Sequence, residues 1–185
     1  MTRYYKSFKP GRIGPYSNKK WPKRIGAWVR VEGELVPCEN GIHVARGELE
    51  LLRHWLDAEV YEVEVRGERI DGAAKACVRE CRLVRQVLDV RSLRLFAADC
   101  AERALSVAGT TDERSWEAVR VARLFAERKA SWGELAAAWA AAGDAAWTAA
   151  REGDAWTAAR ERRALLLRWY IDGEQGNKPT LETAQ

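Results

Sequence analysis

Val-Tyr-Glu-Val-Glu-Val-Arg-Gly, residues 60–67, alternates without a slip, with Tyr61, Val63 and Val65 on one side and Glu62, Glu64 and Arg66 on the other. A period of two over this length is the mark of a β-strand with one face in a core and one face in water. Glu62 and Glu64 share the wet face, where alternating carboxylates serve solubility more often than acid–base chemistry. Downstream, Ala76–Val87 interleaves Cys77, Arg79, Cys81, Leu83 and Arg85 with Val78, Glu80, Arg82, Val84 and Gln86. It reads as a second strand whose faces cannot be told apart, because both sets carry charge.

Upstream, Ala27, Val29 and Val31 alternate with Trp28, Arg30 and Glu32, and Gly33 before Leu35-Val36 suggests a strand and a turn. Asn40-Gly41 is a strong turn dipeptide ahead of a short strand, Ile42-His43-Val44-Ala45. Residues 47–56 set Leu49, Leu52 and Leu56 at helical spacing beside Trp55, which predicts a short amphipathic helix.

After Leu88 the alternation stops. Leu93, Phe96, Cys100, Ala104 and Val107 recur at three- and four-residue steps, Ser92 is placed to cap that helix, and Gly109 ends it. Thr111 or Asp112 opens the next helix, with a stripe of Trp116, Val119, Val121, Leu124 and Phe125. Ser131 followed by Glu134 is a capping-box pattern for a third. Ala-Trp-Thr-Ala-Ala-Arg-Glu occurs at 146–152 and again at 155–161. On one continuous helix that offset would turn Trp156 away from the face of Trp132, Trp139 and Trp147, so a break is expected at Gly153-Asp154, with Asp154 capping a last helix through Leu165, Leu166, Trp169 and Tyr170. Trp residues among so many alanines fill a core, or else stand exposed as binding anchors. The polar tail from Gly173 is expected to fray.

The fold class is therefore α+β: a small N-terminal mixed α/β domain with antiparallel strands, followed by an Ala- and Trp-rich helical bundle. The divisions are a basic aromatic arm at 1–25, the mixed domain at 26–88, the bundle at 89–172 and a flexible tail at 173–185.

The formal charge is +4, unevenly placed. Residues 1–25 hold eight cations and no acid: Arg3, Lys6, Lys9, Arg12, Lys19, Lys20, Lys23 and Arg24. The rest of the chain is mildly acidic. Tyr4, Tyr5, Phe8, Tyr16 and Trp21 are interleaved with those cations, and Pro10, Gly11, Gly14, Pro15 and Pro22 forbid a long helix there. Cations among rings suit phosphates and bases, an acidic protein surface, or the chain's own acidic remainder.

Other chemistry has little support. Cys38, Cys77, Cys81 and Cys100 lack metal-site spacing and read as small buried hydrophobes. His43, beside Cys38 and Glu39, is a weak catalytic candidate, and His54 reads as a surface or packing residue. Phosphate-loop, dinucleotide and serine-hydrolase motifs are missing from the sequence, so no cofactor and no metal is expected. No apolar run approaches the ~20 residues of a membrane span, and no apolar stretch follows the N-terminal charges as a secretory signal requires, so a cytoplasmic protein is expected.

Tyr-Tyr-Lys-Ser-Phe, Cys-Glu-Asn-Gly-Ile-His-Val-Ala, Val-Tyr-Glu-Val-Glu-Val-Arg-Gly-Glu and Cys-Arg-Leu-Val-Arg, in that order within residues 4–87, resemble an uncharacterised domain family of phage and prophage proteins. Asp-Cys-Ala-Glu-Arg-Ala-Leu at 99–105, Glu-Ala-Val-Arg-Val-Ala-Arg-Leu-Phe-Ala at 117–126 and the Ala-rich repeats resemble the helical module of immunity proteins. These resemblances imply a phage or mobile-element accessory protein that occludes a protein partner, such as a toxin or a host defence effector, in the manner of an immunity protein or an anti-CRISPR. A nucleic-acid binder using the basic arm is the first alternative. A small NAD-consuming transferase with His43 and Tyr61 as contacts is the second.

Overall fold

The computed structural model describes residues 2–53, 58–152 and 156–179, with the backbone alone for 144–152 and 156–160. Expectations for His54, Trp55 and Leu56, and for the Gly153-Asp154 break, lie outside the described residues, as do those for the side chains of Trp147 and Trp156. By its contacts the chain divides into two compact units. One is 1–89 with 171–173, and the other is 90–170 with 174–185.

The first unit is an antiparallel sheet of β1 (Tyr4–Phe8), β2 (Trp28–Arg30), β3 (Ile42–Arg46), β4 (Glu59–Asp71) and β5 (Ala76–Leu88), with helix α1 (Gly47–Arg53) between β3 and β4. Strand β1 pairs with both β3 and β4, and β5 pairs with both β3 and β4, so these four strands close a ring of hydrogen bonds. Strand β2 adds to β5 outside the ring. Full closure removes strand edges that would otherwise stay unpaired. Phe8, Ile42, Val44, Tyr61, Val63, Val78, Cys81 and Leu83 form the core, with Trp21 sealing it. Tyr61, Val63 and Val65 face inward as their alternation requires.

Strand β5 could not be assigned a face for a structural reason. Its first half has β4 on one flank and β3 and then β2 on the other, and Ala76, Cys77, Val78, Glu80, Cys81 and Leu83 are all buried. Its charges survive there because each meets an opposite one. Glu80 receives Arg66 at 2.7 Å and Arg30 at 3.2 Å, and Glu64 and Glu62 pair across the strands with Arg82 and Arg85 at 2.5 and 2.8 Å. The guanidinium groups of Arg66 and Arg82 both lie over the Trp28 ring, at 4.0 and 4.9 Å from its centre. In α1 the buried positions are Glu48 and Leu51, not Leu49, which is exposed. Glu48 tolerates burial because the Tyr5 hydroxyl donates to it at 3.1 Å.

The second unit is helical: α2 (Val90–Val107), α3 (Glu113–Ala126), α4 (Trp132–Glu152) and α5 (Trp156–Ile171). Helix α2 begins two residues before Ser92. It ends as a Schellman turn, with Gly109 at φ 62° and the Thr110 amide donating to the Leu105 carbonyl at 3.0 Å. Asp112 is the N-cap of α3, although its carboxylate takes the Ser115 hydroxyl at 2.9 Å and no backbone amide. The capping box of α4 is complete: the Ser131 amide donates to Glu134 at 2.7 Å, and the Glu134 amide to Ser131 Oγ at 3.2 Å. Gly143, at φ 52° and ψ −143°, interrupts α4, a kink the Ala-rich sequence did not signal. No helix of the described residues is long and apolar enough to cross a membrane.

Candidate binding surface

The eight N-terminal cations do not form a free arm. Tyr4–Phe8 is a strand of the ring, and the chain from Lys9 to Ala27 is a stapled loop on the sheet unit. Lys9 and Ile13 bond to each other as an isolated bridge, and Ile13 bridges in turn to Lys20. The reversals use Gly11 at φ 79°, Arg12 at 60° and Asn18 at 52°. Trp21 anchors the return, its amide donating to the Arg12 carbonyl at 2.9 Å and its ring edge-on to Phe8 at 5.1 Å between centres.

Four of the cations are consumed in holding this construction together. Arg3 pairs with Asp172 at 2.7 Å, a residue that groups with the sheet unit. Lys6 donates to the His43 carbonyl at 3.0 Å and stands over the Phe8 and Trp21 rings at 5.5 and 5.3 Å. Burial pushes its amine down to about 8, with Lys75 adding repulsion and Cys81 opposing both. Lys9 donates to Asn18 at 3.1 Å and Arg12 to the Lys23 carbonyl at 2.7 Å.

Lys19, Lys20, Lys23 and Arg24 are different: all four are exposed, and among the described residues none meets a carboxylate. Tyr16, 79% exposed, and Ile25, 43% exposed, flank them. The loop thus presents one sign of charge with apolar groups at either end, on a backbone fixed from beneath by Trp21. A pocket of about 150 Å³ adjoins it, lined by Tyr16, Ser17 and Trp21 from the loop and by Ser7, His43 and Leu51 from the sheet and helix.

The structure separates the two catalytic candidates. His43 lines this pocket, and its Nε2 accepts the Cys38 amide at 3.1 Å, so it fastens the 32–41 loop to β3. That loop is held again by Asn40, whose side-chain amide donates to the Glu32 and Glu34 carbonyls at 2.9 and 2.7 Å. Tyr61 does not line the pocket. Its ring packs edge-on to Phe8 at 5.8 Å in the core, and its hydroxyl donates to Glu59 at 3.1 Å. Its pKa is raised by burial first and then by Glu59. A cofactor contact at Tyr61 would need that core opened.

Cys77 and Cys81 are buried as small hydrophobes, and burial lifts the Cys81 thiol to about 12. Cys38 is exposed, contrary to expectation, because it occupies a positive-φ turn at 72°. No group of three His, Cys, Asp or Glu among the described residues could hold a metal ion.

In the helical unit Trp132 and Trp139 are 62% and 52% exposed, and they stack edge-on at 5.9 Å. Core filling does not describe them. The tail is held as far as it is described: Lys178 pairs with buried Asp99 at 2.6 Å and stands over Trp169, whose indole donates to the Gly176 carbonyl at 3.3 Å. Sequence reading missed Asp99, because an acid in a helix stripe looks like a solvent-facing residue. Here it accepts Arg123 at 2.7 Å and the Tyr170 hydroxyl at 2.6 Å.

Neither curated proteins nor solved structures provide a match to the chain. Residues 2–93, which take in the whole sheet from β1 to β5 and the first turn of α2, are similar to the family described as Domain of unknown function (DUF7666).

Proposed function

We propose that this is a non-enzymatic binding protein that docks an acidic protein surface through the loop carrying Lys19, Lys20, Lys23 and Arg24, and so occludes its partner. The observation that carries this reading is the division of labour among the eight cations. Four are spent on the fold, and four stand exposed in a braced loop where none meets a carboxylate among the described residues. A loop whose backbone is already fixed incurs no backbone ordering cost on binding, and a field of one sign steers an oppositely charged partner. Tyr16 and Ile25 add apolar area of the kind a protein interface buries at its centre. The resemblance to phage and immunity proteins fits this reading, with a toxin or a defence effector as the occluded partner.

The test is affinity capture from host lysate with the wild-type chain and with a variant carrying Lys19→Gln, Lys20→Gln, Lys23→Gln and Arg24→Gln. The expected result is an acidic protein retained at physiological salt by the wild type, released at high salt, and not retained by the variant. Equal retention by both chains overturns the reading. Exposed Tyr16 beside four cations also suits a stacked base above neutralised phosphates, which favours nucleic acid as the second reading. Binding of a single-stranded oligonucleotide whose affinity falls with salt, with the slope reduced in the variant, would select it.

A further inference from the structure

The pocket beside the cationic loop is lined by exposed residues at its mouth and by buried ones within. Tyr16 and Ser17 are exposed, whereas Tyr5, Trp21, Ala45 and Leu51 are buried. Its size narrows what it can take. At about 150 Å³ it is well under the roughly 300–1,000 Å³ of pockets that hold drug-sized ligands and cofactors, and it matches the roughly 150 Å³ of an apolar cavity that admits benzene.

The mouth is already built. The Gly14 amide donates to the Lys19 carbonyl at 2.9 Å and the Asn18 amide to the Gly14 carbonyl at 3.0 Å, so residues 14–19 are closed into a tight turn. Lys19 and Lys20 lie in the chain between Ser17 and Trp21, both of which line the pocket, and Lys23 and Arg24 follow. A ring-sized recess and four exposed cations therefore belong to one short stretch of fixed backbone.

We infer that the pocket receives a phenylalanine side chain projecting from an acidic segment of the partner protein, with carboxylates beside it meeting Lys19, Lys20, Lys23 and Arg24. This rests on the reading of the loop as a dock for an acidic protein surface, and it names what that surface must carry. Tyr5, Tyr16 and Trp21 contribute to the lining, and a phenyl ring gains from edge-on contact with other rings beyond the area it buries. An aromatic anchor seated in a pocket within a polar rim is the usual way an interface concentrates its affinity. A nucleobase is a poorer guest, because its hydrogen-bonding edges would be buried against Leu51 and Ala45.

The experiment is an NMR titration of the full isotope-labelled chain with three blocked pentapeptides and an oligothymidylate of matched length. The first peptide has phenylalanine between paired glutamates, the second alanine in its place, and the third phenylalanine between paired glutamines. The first should move the amide signals of Gly14, Ser17 and Gly41 and show nuclear Overhauser contacts from its ring to the Leu51 methyls. It should bind about tenfold more tightly than the alanine peptide, and several-fold more tightly than the glutamine peptide. In the Lys19→Gln, Lys20→Gln, Lys23→Gln, Arg24→Gln variant the two phenylalanine peptides should bind alike. Equal binding of the phenylalanine and alanine peptides, both lost in the variant, overturns the aromatic anchor and leaves the cationic dock standing. Absence of binding by the first peptide, shifts confined to other amides, or tighter binding of the oligothymidylate at the same amides also overturns the inference, while capture from lysate decides the dock separately.

Discussion

A methyl group added at Gly41 would stand 2.1 Å from the Cys77 sulfur and 3.3 Å from Leu35, on a backbone at φ 152°. Gly41→Ala should therefore destabilise the sheet unit by about 2–4 kcal/mol in urea unfolding, since both the clash and the dihedral oppose it. Asn40-Gly41 announces a turn in the sequence, but nothing local reveals that the turn lies against a sulfur on a strand 36 residues away. Lys6 presents the same difficulty, because a lysine between Tyr5 and Ser7 reads as a surface cation until Phe8 and Trp21 close beneath it. Its amine, at about 8 when folded, lies below the ordinary value of 10.5, so the unfolded chain holds more protons between those limits. That difference costs stability at neutral pH, and the cost fades as pH climbs through the window. Cys81 runs the opposite way above its ordinary value of 9, so the amine is isolated by comparing chains. Lys6→Met should be more stable than the wild type at pH 7 by roughly 1–3 kcal/mol, with the gap narrowing toward pH 10 in parallel urea titrations. A constant gap would show that the amine is not the cause.

At the level of elements, the capping box before α4 was legible because its chemistry is local: Ser131 and Glu134 need only each other. Ser131→Ala should cost about 1 kcal/mol by thermal or urea unfolding. The Asp99 cluster obeys longer rules. Arg123, Tyr170 and Lys178 converge on one carboxylate from α3, α5 and the tail, and no spacing in the sequence links them. Asp99→Asn should cost about 3 kcal/mol, because it leaves a guanidinium and a phenol with a weaker partner in a buried place. Lys178→Met, removing a half-exposed partner, should cost under about 1 kcal/mol. The same cluster explains why the tail through residue 179 is docked although its composition reads as polar and free. Periodicity identified the helices, yet their faces were displaced, since Asp99 and Ser115 are buried while Val107 and Trp132 are exposed. Hydrophobicity alone ranks those residues in the reverse order.

Over the whole molecule, the alternation gives way to helical spacing after Leu88, and by its contacts the first unit takes in residues 1–89 with 171–173. The eight cations were also visible as a set. What the sequence could not do was divide them, because whether a lysine lies over Trp21 or stands in water depends on strands that arrive later in the chain. The exposed four hold the net charge: neutralising Lys19, Lys20, Lys23 and Arg24 takes the formal charge from +4 to zero. The quadruple variant should unfold within about 0.5 kcal/mol of the wild type, elute earlier from a cation exchanger, and be less soluble near neutral pH. A large loss of stability would mean that these side chains are structural after all. The ring of strands carries one more consequence, for synthesis. Strand β1 leaves the ribosome before either of its neighbours, β3 and β4, and β5, which completes the circuit, emerges last. Tyr-Tyr-Lys-Ser-Phe therefore waits, aromatic and not yet paired on both sides, while the roughly sixty residues up to the end of β4 are translated, and it is the segment on which a nascent-chain chaperone would act.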